Sequence, residues 1–151
     1  MKLPNIAGYT YKQFPNVRLL IRDDFASLCP DSALLDFCQK LFHGTNGVQP
    51  RKQTTNKSIF TLCFPRDDSG TLYLAKKYTS RGFIKTAKEI LRPSKALHEF
   101  LTAVSISKKG ILIPEPMLVA ETMKYHKVNQ SLMIMSFISG AVDLKEFLLN
   151  R

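Results

Sequence analysis

The stretch from Ser58 to Tyr78 constrains the fold most. It reads SIFTLCF (58–64), PRDDSG (65–70) and TLYLAKKY (71–78). Both outer runs read with period two. Side chains alternate in this way along a strand that buries one face. The segment between them carries Asp67, Asp68 and Ser69 and closes on Gly70, residue types that favour turns. The stretch predicts an antiparallel hairpin with a long turn.

The rest of the chain fits around that hairpin. YTYKQF (9–14) and VRLLI (17–21) read as short strands flanking Pro15-Asn16. Asp31-Ser32 can cap a helix in which Leu34, Leu35, Cys38, Leu41 and Phe42 recur at helical spacing. HGTNGVQPRKQTTNK (43–57) is polar and reads as a loop. FIKTAKEIL (83–91) reads as a short basic helix, Pro93-Ser94 restarts it, and KALHEFLTAVSISK (95–108) continues to a stop at Lys109-Gly110. ILIPEPMLVAET (111–122) is extended, SLMIMSFI (131–138) is an apolar strand, and Asp143 caps a final helix, DLKEFLL (143–149). The expected class is α+β: a small antiparallel sheet with one long helix packed across it. Three units are expected: 1–57 with the first strands, helix and polar loop, 58–142 as the core, and 143–151 as the start of a further unit.

Composition narrows the function classes. A 44% hydrophobic content over 151 residues is enough for a core and excludes a disordered tail. The net charge of +10, from 22 basic and 12 acidic residues, points to an anionic partner: nucleic acid, phospholipid headgroups or a phosphorylated glycan. A basic surface without a partner is the plainer alternative. Cys29, Cys38 and Cys63 form no C-x-x-C pair and are odd in number, so neither a disulfide framework nor a zinc site is expected. MKLPNIAGYTYKQF lacks the apolar segment of a signal peptide. His43, His98 and His126 are isolated in the sequence and are assigned no metal or catalytic role.

Strand alternation puts Leu74 and Lys76 on one face and Lys77 on the other. A lysine among apolar neighbours late in a central strand is costly unless it meets an anion. On this strand alone, a strand end whose lysines reach water explains as much. The helix adds the second half. Leu97, Phe100, Leu101 and Val104 make one apolar stripe, and Glu99, Ala103 and Ile106 make another. A glutamate on a covered stripe needs a cation, and Lys76 is the candidate. A solvated Glu99 is the alternative, as for most glutamates.

Tyr73-Leu74-Ala75-Lys76 resembles the strand of kinases whose lysine holds the nucleotide phosphates, and Ser94 to Glu99 resembles the helix whose glutamate orients that lysine. KKGILIPEPMLVAE (108–121) is similar to the G-I-x-x-P-E-P passage of the bacterial lipopolysaccharide (Kdo/heptose) kinases. SLMIMSFISGAVDLKEFL (131–148) resembles a kinase hinge. The resemblance covers roughly 58–150 and implies a protein-kinase-like N-terminal lobe. It implies ATP and Mg²⁺ as cofactors, with Lys76 and Glu99 at the phosphates and Met135 as gatekeeper. The backbone of Ser136, Phe137 and Ile138 would meet the adenine edge, and Asp143 the ribose. It further implies lipopolysaccharide or another anionic glycolipid as acceptor, a cytoplasmic protein with peripheral contact to the inner membrane, and a C-terminal lobe elsewhere.

Two departures from that family pattern matter. No G-x-G-x-x-G precedes the lysine strand; Gly44 and Gly47 lie too far upstream to match it. Phosphoryl transfer also needs a carboxylate to position the hydroxyl and ligands for Mg²⁺. Asp143 is the one aspartate beyond Asp68, and no H-R-D-like or D-F-G-like segment is present. The expectation is a lobe that stops before its catalytic loop, with no catalytic residue of its own. Arg81, Lys85, Lys88, Arg92 and Lys95 recur every three or four residues and share a face of the expected helix. That face is either solvated or an anion-binding surface beside the nucleotide cleft. The competing class is a non-enzymatic basic module for nucleic acid or a protein. Against nucleic acid, aromatic residues are not interleaved with the basic ones in an RNA-binding pattern.

Overall fold

The computed structural model describes residues 3–44, 50–63, 70–79, 92–124 and 127–138. Its elements are β1 (Tyr9–Gln13), β2 (Val17–Arg22), α1 (Asp23–Ala26), α2 (Asp31–His43), β3 (Pro50–Gln53), β4 (Lys57–Cys63), β5 (Leu72–Thr79), α3 (Lys95–Ser107), β6 (Pro116–Lys124) and β7 (Lys127–Ser136). The strands form one sheet of seven in the order β1-β2-β6-β7-β5-β4-β3. Every neighbouring pair is antiparallel. The protein is α+β, as the alternating runs require.

Period two explains the layers. Leu19, Ile21, Tyr73, Ala75, Leu132 and Ile134 point to one face, where they share a buried cluster with Phe25 of α1 and Leu34, Cys38, Leu41 and Phe42 of α2. Leu20, Tyr78, Val119, Met133 and Met135 point to the other, in a cluster with Ala96, Leu97, Phe100 and Val104 of α3. Strands β2, β6 and β7 are therefore apolar on both faces. That is why they read as continuous runs, LLI, LVA and LMIM, rather than as alternation. Each fully buried Leu, Ile, Val or Met contributes about 1.5–3 kcal/mol, so these strands carry most of the core.

Several expectations need correction. The polar segment 43–57 is not all loop, because β3 pairs with β4, Lys52 opposite Ile59 and Gln53 opposite Ser58. An edge strand needs main-chain partners on one side only, so its exposed side chains need not alternate in polarity. The boundary expected at residue 57 falls inside this hairpin. β2 bonds to β6, so the first strands belong to the same sheet as 58–136. The sheet has helical residues packed on both faces, not one. α2 has Pro30 at its N-cap and no side-chain cap; Asp31 instead pairs with Lys12 of β1. The last strand is longer than expected, beginning at Lys127.

α3 begins as expected. The Leu97 N–H donates to Ser94 Oγ at 3.1 Å, an N-cap bond worth about 1 kcal/mol. It ends at Ser107, and Gly110 follows at φ 74°, a backbone that side chains resist. The basic helix expected over 83–91, the turn at 65–69 and the helix over 143–149 lie outside the described residues.

Candidate functional site

β5 presents adjacent lysines to opposite faces. Lys77 turns toward α2, where its Nζ donates to the carbonyls of Leu41 at 3.1 Å and Phe42 at 2.7 Å. These carbonyls belong to the last turn of α2, which has no helical N–H left to satisfy them. Burial holds the Lys77 ammonium below its ordinary pKa.

Lys76 turns toward α3, and its Nζ lies 3.4 Å from Glu99 Oε2. Both side chains are about one-quarter to one-third exposed, 24% and 30%. The other carboxylate oxygen accepts from Tyr78 Oη at 2.6 Å. Burial pushes the Glu99 carboxyl up, but the Tyr78 hydrogen bond and the charges of Lys76 and Lys57 outweigh it, and the group is held below the usual carboxylate range. Burial, then the bond and charge of Glu99, push the Tyr78 phenol up. The second stripe of α3 is only half covered: Glu99, Ala103 and Ile106 are all half-buried.

More cations converge here than sequence reasoning assigned. Lys57 Nζ lies 5.3 Å from the Tyr78 ring centroid, and Lys95 Nζ lies 5.5 Å from it. Register explains the first contact, because Lys57 stands opposite Tyr78 and Ile59 opposite Lys76. Lys52 stands opposite Ile59 on the next strand. A cavity of about 260 Å³ opens among Lys52, Thr54, Lys57 and Ile59. The signal for these residues was present: the alternation of β4 runs back through Lys57, and the turn at 54–56 returns the chain to Lys52.

Of the residues expected to form a hinge, Met135 and Ser136 end β7, and Phe137 and Ile138 follow it. Met135 is buried, in the cluster with α3, and stands opposite Leu74. The Ser136 N–H donates to the Glu115 carbonyl at 2.9 Å, and Ser136 Oγ accepts from the Glu115 N–H at 2.7 Å. That N–H is engaged within the fold. The Arg51 guanidinium lies 4.6 Å from the Phe137 ring centroid and ties the edge hairpin to this segment. Asp143 lies outside the described residues.

Among the described residues no three His, Cys, Asp or Glu side chains gather to hold a metal ion. Both oxygens of Glu99 are already engaged by Lys76 and Tyr78. Mg²⁺ needs several oxygen ligands in octahedral array, and these residues do not provide it. No helix among the described residues is long and apolar enough to cross a membrane.

Comparison with known proteins gives no relative: no family model, curated protein or solved structure matches the chain.

Proposed function

We propose that this chain is the nucleotide-binding lobe of a phosphotransferase resembling the lipopolysaccharide kinases. It would grip ATP beside Lys76, while the carboxylates and Mg²⁺ ligands of the transfer step come from a second lobe. The acceptor class is a sugar hydroxyl on an anionic glycolipid, reached at the cytoplasmic face of a membrane. The observation that carries the reading is the Lys76–Glu99 pair. In protein kinases the phosphate-binding lysine stands on a sheet strand and pairs with a glutamate of the following helix. Here β5 bears the lysine, α3 is the next described helix, and the helix packs against the strands that follow it. A half-exposed ion pair adds at most about 1 kcal/mol to stability. The fold does not depend on this pair, and a functional use accounts for its placement in the cleft.

The chemistry of the lobe is positioning. Glu99 holds the Lys76 ammonium over the cleft, and Tyr78 fixes the carboxylate that holds it. Met135 closes the inner wall, and the backbone at Phe137 and Ile138 meets the adenine edge. Mg²⁺, where a second lobe holds it, neutralises the charge that builds on the transferred phosphoryl group.

The test is binding of ATP to the purified chain by calorimetry. A weak complex is expected, with a dissociation constant of about 1 mM, equivalent to roughly 4 kcal/mol. Lys76→Ala should abolish it. Adenosine should compete, because the hinge reads the base. ATP binding that ignores Lys76→Ala, or that adenosine cannot displace, overturns the reading.

A further inference from the structure

We infer that the β3–β4 hairpin is a polyphosphate clamp, in which the side chains of Lys52 and Lys57, together with Lys95 from the start of α3, hold two or more adjacent phosphoryl groups at the cavity that Lys52, Thr54, Lys57 and Ile59 line. Lys57 and Lys95 both reach the Tyr78 ring, Lys52 and Lys76 both stand opposite Ile59 on the strands to either side of it, and Glu99 pairs with Lys76. Among these described side chains, four lysines face one glutamate, an excess of three positive charges. Burial lowers the Lys57 pKa; Glu99 opposes this, while Lys76, Lys95 and Lys52 add to it. A cluster of like charges is destabilising until an anion enters it, and the anion that suits it carries about three charges within a short span.

The shape selects the same ligand. The cavity of about 260 Å³ is smaller than the roughly 300–1,000 Å³ of sites that enclose a drug-sized ligand. It takes a phosphoryl chain and leaves any attached group outside. A nucleic-acid strand offers its charges one per nucleotide along an open rod, and such a pocket engages too few of them. The clamp is tied in place. Thr54 N–H and Oγ1 both donate to the Lys57 carbonyl, at 2.8 and 3.2 Å, and the Thr79 N–H donates to the Asn56 carbonyl at 3.1 Å. The Tyr78 ring supports Lys57 and Lys95 together. The chain has no G-x-G-x-x-G loop, and lysine side chains grip here instead of backbone N–H groups. The attachment of this clamp to a nucleotide rests on the function proposed above; its polyphosphate chemistry rests on the lysines alone.

The experiment titrates the full 151-residue chain with inorganic tripolyphosphate, ATP and adenosine, in the wild type and in Lys52→Gln, Lys57→Gln and Lys57→Arg. Circular dichroism checks that each variant folds. Each Gln variant should bind tripolyphosphate and ATP about tenfold more weakly, the factor that one charge-assisted contact supplies. Adenosine binding should be unchanged, and Lys57→Arg should restore most of the loss. Tripolyphosphate that binds the wild type and the Gln variants alike, or does not bind at all, overturns the clamp, even where ATP still responds to Lys76→Ala. Tripolyphosphate that responds to the hairpin lysines while adenosine does not bind supports the clamp and removes the nucleotide reading.

Discussion

Tyr78 Oη lies 2.6 Å from Glu99 Oε1, whereas Lys76 Nζ lies 3.4 Å from Glu99 Oε2. The phenol, not the ammonium, makes the tighter contact with the carboxylate. Residues 76 and 78 share a face because strand side chains alternate, so one strand reaches both oxygens of one helix residue. A hydrogen bond to a charged group is worth about 1.5–3 kcal/mol, and the partial exposure of Glu99 puts this one at the low end. Tyr78→Phe should therefore lower stability by about 1.5 kcal/mol in urea titration. An unchanged midpoint would show that the bond contributes nothing to the fold.

The depressed Glu99 carboxyl fixes the sign of a pH effect. Its folded pKa lies below the unfolded one, so the ionised form stabilises the fold. That stability is present above the ordinary glutamate pKa of about 4.3 and is lost as pH falls through the lower folded value. The stability gap between wild type and Glu99→Gln should be constant from about pH 7 to pH 5 and close in more acid solution. Urea midpoints across that series measure it. A gap that widens on acidification has the wrong sign.

Sequence reasoning reached the parts of this fold that repeat. The hairpin of β4 and β5, helix α3 with its Ser94 cap, and the opposite facing of Lys76 and Lys77 all follow from periods of two and 3.6. β3 was hidden because an edge strand buries little and its residues, Pro-Arg-Lys-Gln, signal a loop. The pairing of β2 with β6 was hidden because register across a hundred residues leaves no local mark. For the same reason Lys52, Lys57 and Tyr78 were not joined to the site, although each lies within a segment that had been read.

Arg18 and Glu121 face each other across β2 and β6, with Arg18 Nε 2.6 Å from Glu121 Oε2 and the Glu121 side chain 0% exposed. Among the described residues Glu121 Oε1 has no hydrogen-bond partner. Removing one member of such a pair strands a buried charge and costs about 3–5 kcal/mol, whereas replacing both with apolar residues is often neutral. Glu121→Leu alone should be severely destabilising, and Arg18→Met with Glu121→Leu should recover most of the loss. Chemical denaturation of the two variants and the wild type decides it; equal losses in the single and double variants would show that the damage is to packing.

Lys76 and Lys77 adjoin in sequence but should separate completely by mutation. Lys77 donates to two carbonyls at the end of α2, where a cation is worth about 0.3–1 kcal/mol against the helix dipole and up to about 2 kcal/mol when partly buried. Its burial opposes this by disfavouring the charge, so the net loss for Lys77→Met is about 1 kcal/mol. Lys76 contributes at most about 1 kcal/mol through a pair that water screens, and its Nζ lies on the α3 face of the sheet. Lys77→Met should thus lower the urea midpoint and leave ATP and tripolyphosphate affinity unchanged. Lys76→Ala should weaken ATP and tripolyphosphate binding and lower the midpoint by no more than Lys77→Met does. The contrast separates a lysine used by the fold from one used by the site. If Lys77→Met weakened phosphate binding as much as Lys76→Ala without loss of stability, the two faces of β5 would not be distinct in function, and the cleft would have to be sought on the α2 side.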